Sequence, residues 1–120
     1  MENKEIIKIE DATNAEKKDP TEKYTILNYK LTKPVTFEGK EYKELVLNFG
    51  SLTGNDAIAI EEEMEAMNLY VMAPETSRAY QIRMAARAGG FPYQLTEQIS
   101  FRDFTRLANA ARNFLVGQEL

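Results

Sequence analysis

The sequence has no cysteine, no histidine and no tryptophan. Without cysteine there is neither a disulfide nor a thiolate to hold a metal. Without histidine the chain lacks the usual general base, the usual metal-binding imidazole and the side chain whose charge changes near neutral pH. No apolar run approaches the roughly 18–20 residues of a membrane helix, and no secretory leader opens a chain that begins Met1-Glu2-Asn3-Lys4-Glu5. A phosphate loop is missing too, because Gly89-Gly90 follows a helical pattern instead of preceding one. Hydroxyls are present, but no base stands ready to activate them. Glu61, Glu62, Glu63 and Glu65 crowd an exposed helix face and not a cleft, so a glycosidase-type carboxylate pair is not expected. No loop carries calcium-ligand spacing. The expectation is a non-catalytic protein with no catalytic, cofactor-binding or metal-binding residues.

What is present is sorted by charge. The chain has 120 residues and a net charge of -4, which fits one domain with its own core and disfavours a general affinity for polyanions. All nine Lys lie at or before Lys43, and all six Arg lie at or after Arg78. Between Glu44 and Glu75 there is no basic residue, while Glu44, Asp56, Glu61, Glu62, Glu63 and Glu65 all fall there. Such a window is either a solvated helix face or an acidic surface that meets arginines, within the fold or on another chain.

Hydropathy patterning gives an α+β reading: an N-terminal antiparallel hairpin packed on about three C-terminal helices, with a single domain over 23–120. Residues 1–22 are polar and Lys/Glu-rich and are expected to be a mobile arm, with Ile6, Ile7 and Ile9 able to add a third short strand or to dock. The hairpin spans 24–49. Leu27, Tyr29 and Leu31 share one side, Tyr24 and Ile26 the other, and Leu45, Leu47 and Phe49 line the return strand. Pro34 cannot donate to a ladder and belongs at an edge or a bulge. Gly39 serves the turn. A two-residue loop pairs Val35 with Tyr42, and a three-residue loop pairs Val35 with Lys43.

Helices are expected over about 54–70, 75–88 and 101–116. Thr53-Gly54-Asn55-Asp56 and Ser100-Phe101-Arg102-Asp103 both fit capping boxes. Ile60, Met64, Met67 and Val71 form one stripe of the first helix, and Phe104, Leu107, Ala108, Ala111 and Leu115 line the third. Ala79, Ile82 and Ala86 face inward on the second, Gly89-Gly90 caps it, and Gln94–Ile99 holds one further helical turn. A core of Leu45, Leu47, Phe49, Ile60, Met64, Ile82, Phe104 and Leu107 follows.

Two surfaces compete for a function. One is an adaptable protein-binding face built from Met64, Met67, Met72 and Met84, whose thioethers repack against varied partners, with Glu61, Glu62, Glu65, Arg83, Arg87, Arg106 and Arg112 around them. The other is a basic stacking surface for nucleic acid, from Arg83, Arg87, Arg102, Arg106 and Arg112 with the loop aromatics Phe91 and Tyr93. The segment from Pro74 on sets six Arg against Glu75, Glu97, Asp103 and Glu119, a net of only +2, which disfavours phosphate binding.

The order of these patterns resembles the tail assembly chaperone family of Mu-like and P2-like phages and prophages. The matching pieces are Leu31-Thr32-Lys33-Pro34, the hairpin Glu38-Gly39-Lys40-Glu41-Tyr42, the helix start Leu52-Thr53-Gly54-Asn55-Asp56, the loop Gly90-Phe91-Pro92-Tyr93 and the helix start Phe101-Arg102-Asp103-Phe104. The likeness covers residues 24–116. It implies a non-catalytic helper in the host cytoplasm, absent from the finished virion. Such a helper keeps the tape-measure protein soluble and helps tail-tube subunits gather, with self-association open to it. In several relatives a frameshift appends a C-terminal domain, and the resemblance implies the expectation that this chain is the short form. The resemblance carries over no active-site residue. A structural connector subunit of a phage is a further alternative.

Overall fold

The computed structural model describes residues 25–117. The expected arm over 1–22, the strand at Ile6, Ile7 and Ile9, and Tyr24 lie outside the described residues. Two strands, β1 (Ile26–Phe37) and β2 (Lys40–Asn48), form an antiparallel hairpin, followed by helices α1 (Gly54–Ala66), α2 (Arg78–Gly89) and α3 (Phe101–Leu115). The α+β reading therefore describes the fold.

The hairpin turns through two residues. Phe37 pairs with Lys40 and Val35 with Tyr42, and both Glu38 (φ 51°) and Gly39 (φ 79°) take positive φ. That pairing is a primed turn, whose twist suits the strands on either side. Alternation then puts Leu27, Tyr29 and Leu31 on the inner face beside Leu45 and Leu47, while Ile26 and Val46 point outward. The ladder is interrupted between Lys30 and Val35, where four residues of β1 oppose one of β2. Pro34 sits in this bulge, where its missing N–H costs no ladder bond.

After Asn48 the chain enters a short 3-10 turn at Phe49–Ser51. The Phe49 amide donates to the Thr25 carbonyl at 2.6 Å, and its ring stacks on Phe114 with centroids 5.6 Å apart. This closes the open end of the hairpin onto the last turn of α3.

The first helix starts as its sequence dictates. The Thr53 hydroxyl accepts from the Asn55 amide at 3.2 Å, and the Asp56 carboxylate accepts from the Thr53 amide at 2.8 Å. It ends earlier than the expected 70. Asn68 adopts the left-handed conformation (φ 61°), its amide donates to Glu65 and the Leu69 amide returns to Met64. Asparagine tolerates this conformation and closes a Schellman-type end, so the apolar stripe is cut after Met64. Met67 is consequently 54% exposed and Val71 only partly buried.

The second helix starts later than 75. Pro74–Thr76 is a 3-10 turn, and the Ser77 hydroxyl accepts from the Tyr80 amide at 3.1 Å to cap α2. This helix is buried on nearly every side, from Tyr80 to Ala86 and again at Ala88, and it packs against β2, α1 and α3. Small side chains at Ala85 and Ala86 permit that enclosure. At its end Gly90 takes the left-handed cap (φ 68°), while a Cβ on Gly89 would collide with the ring of Phe91. The following loop contains one 3-10 segment, Tyr93–Glu97.

Seven of the eight expected core residues are buried; Phe104 is a correction, being partly buried and packed against the rim of the cluster. Leu95, Ile99, Phe91, Ala108 and Ala111 complete the interior.

Candidate protein-binding surface

The residues that look conspicuous in the sequence are mostly occupied inside the fold. Asp103 is the clearest case. Ser100 caps α3 as expected, accepting from the Asp103 amide at 3.1 Å, but the carboxylate does not reach back to complete a capping box. It is wholly buried and turns to β1 instead. It accepts from the Tyr29 hydroxyl at 2.6 Å, the Thr32 amide at 3.0 Å and the Thr32 hydroxyl at 3.1 Å. The bulge frees the Thr32 amide from the ladder to make this bond. Burial pushes the Asp103 carboxyl up, but hydrogen bonds led by the Tyr29 hydroxyl outweigh it and hold the group below the usual carboxylate range. Burial and donation to an anion raise the Tyr29 phenol in turn.

The other conspicuous pieces behave alike. Asp56 caps α1 and also accepts from Arg87 Nε at 2.8 Å; the Thr53 amide foremost, and then Arg87, hold its carboxyl low. Arg83 is 2% exposed. Its guanidinium lies 4.1 Å over the Tyr93 ring, donates to the Ala79 carbonyl at 3.1 Å and to the Met67 sulfur at 3.2 Å, and approaches Glu63 at 3.5 Å. Its Nε has no hydrogen-bond partner. The acidic helix thus meets two arginines within the fold.

These placements divide the methionines and arginines. Met64 (2% exposed) and Met84 (5%) are core residues, whereas Met67 is half-exposed and Met72 is 84% exposed. Arg106 and Arg112 lie exposed on α3, together with Arg102. They do not join Arg83 or Arg87 in one free basic face, because those two are engaged with acids near α1. Phe91 is buried and Tyr93 is covered by Arg83, so the stacking surface pictured from sequence does not assemble.

What stays free on this side is coherent. Glu61, Glu62 and Glu65 are exposed on α1, Glu65 lying one turn beyond the adjacent Glu61 and Glu62, and among the described residues none of them makes an ion pair. Immediately after the helix come Leu69, Tyr70 and Met72, solvent-facing, with Tyr70 at 86%, and the half-exposed Met67, whose sulfur is held by Arg83. Leu69 and Tyr70 were not singled out by the sequence; recognising Asn68 as a left-handed helix end would have found them. At the other end of α1 a cleft of about 160 Å³ is lined by Leu52, Ile60, Tyr80, Met84, Phe114 and Leu115. Burial foremost, and then the nearby Glu61 charge, raise the Tyr80 phenol.

Among the described residues no group of three potential ligands could hold a metal ion, and no helix is long and apolar enough to cross a membrane. Comparison with family models, curated proteins and solved structures finds no match for this chain.

Proposed function

We propose that the protein is a tail assembly chaperone of a phage or prophage, binding the tape-measure protein in the host cytoplasm and keeping it soluble while tail-tube subunits gather. The reading starts from the ordered sequence resemblance. One observation adds weight: two widely separated pieces of that pattern meet in space. Thr32 of the Leu-x-Lys-Pro piece bonds Asp103 of the Phe-x-Asp-Phe piece. These two pieces are therefore held together by hydrogen bonds within one fold. The exposed methionines and Tyr70 beside an acidic helix supply the adaptable surface that such a role needs.

A pull-down of a tape-measure fragment by the full chain, with labelled duplex DNA as a parallel bait, tests the reading. Retention of the fragment and not the DNA supports it. Retention of DNA at physiological salt without the fragment replaces it by a nucleic-acid adaptor acting through Arg102, Arg106 and Arg112, the arginines left exposed on α3.

A further inference from the structure

We infer that the outer side of α1 and the segment Met67–Met72 together dock an amphipathic helix whose apolar stripe is flanked by Lys or Arg. The inference deepens the chaperone reading and rests on it for the existence of a helical client.

The argument begins with unspent charge. The arginines of α2 that approach α1 are taken by Glu63 and Asp56. Glu61, Glu62 and Glu65 face solvent, and among the described residues none of them makes an ion pair. Like charges one turn apart on a helix destabilise it slightly, and a cationic partner relieves that repulsion on binding. The second element is apolar. Met67, Leu69, Tyr70 and Met72 lie exposed within six consecutive residues that follow the acidic row along the chain, Met67 with its sulfur held by Arg83. Tyrosine supplies rigid contact area, and methionine adapts to the shape that arrives.

The backbone decides the partner's conformation. A helix face offers side chains and no strand edge, which favours a partner whose own backbone bonds are already made, as a helix's are. The same acidic row repels phosphates, whether of nucleic acid or of an anionic membrane.

The test uses the full chain and two labelled synthetic helical peptides with one leucine stripe, flanked by Lys in one and by Glu in the other. Fluorescence anisotropy should show the Lys-flanked peptide binding on the order of tenfold tighter at low salt, with the gap closing near about 0.5 M salt. The Glu61→Lys/Glu62→Lys/Glu65→Lys variant should reverse the preference. Tyr70→Ser/Met72→Ser should weaken both peptides. Circular dichroism of each variant checks that the fold is kept. Equal binding of the two peptides, or a preference that the charge reversal leaves unchanged, overturns the inference. So does a chain that ignores both peptides and instead associates with itself through these glutamates. If the Lys-flanked peptide binds as stated but a tape-measure fragment does not, the docking surface stands and the chaperone reading falls. If the fragment binds and the charge reversal leaves it untouched, the chaperone reading stands and this surface does not.

Discussion

Asp103 is the residue that most directly ties sequence to fold. A fully buried carboxylate with three hydrogen bonds from β1 joins the start of α3 to a bulge about 70 positions earlier. Asp103→Asn keeps the shape but removes the charge and one acceptor, and should cost about 2–3 kcal/mol, as hydrogen bonds to a charged group imply. Tyr29→Phe should cost about 1–2 kcal/mol, and the double variant less than the sum, because the two share one interaction. Urea unfolding of the four proteins gives the cycle. Its pH dependence has a fixed sign. Asp103 and Asp56 both sit below their ordinary value of 3.8 when folded. The unfolded chain therefore takes up protons first, the stabilisation is complete above that value, and it is lost as pH falls through the folded values. The urea midpoint should drop between about pH 5 and about pH 2, and less steeply in Asp103→Asn.

At the scale of elements, local patterning was a good guide wherever one residue type answers one local need. The strand faces followed from alternation, the turn from Gly39, the α1 cap from Thr53 and Asp56, and the α2 exit from Gly89-Gly90. It was a poor guide where a residue had two possible partners. Asp103 fits a local cap equally well on paper, and only the bulge in β1 shows why it turns away. Arg83 looked like a surface charge because nothing in α2 itself announces a helix buried on nearly all sides. The four candidate methionines shared one label in sequence, yet Met64 and Met84 fill the core, Met67 is half-exposed where Asn68 ends α1, and Met72 is exposed in the segment beyond it. Packing gives graded predictions for these elements. Leu107→Ala, at a fully buried position, should cost about 2–5 kcal/mol, and Phe104→Ala, at the rim, clearly less than the fully buried Phe range of about 3–5 kcal/mol. Gly89→Ala should cost about 1–3 kcal/mol, since the Phe91 ring must leave its place. Thermal unfolding of the three variants ranks them; equal stability of Leu107→Ala and Phe104→Ala would put α3 at the edge of the fold.

For the molecule as a whole, the pieces that carry the resemblance build the scaffold. The bulge, the two helix starts and the Gly-Phe-Pro-Tyr loop are spent on Thr32–Asp103, on the Thr53–Asp56–Arg87 corner, on the contact between Gly89 and Phe91, and on the stacking of Arg83 over Tyr93. On the function proposed above, recognition falls to exposed side chains that the scaffold does not use, Glu61, Glu62, Glu65, Leu69, Tyr70 and Met72 among them. Substituting them should leave the fold intact, because exposed carboxylates contribute little to stability. Co-expression with a tape-measure protein measures this division of labour. The wild-type chain and the Asp103→Asn variant, at a temperature where the latter stays folded, should both keep the client soluble. The Glu61→Lys/Glu62→Lys/Glu65→Lys variant should fold as well as wild type and leave more of the client in the pellet. Equal client solubility with the charge-reversed and wild-type chains would contradict the account.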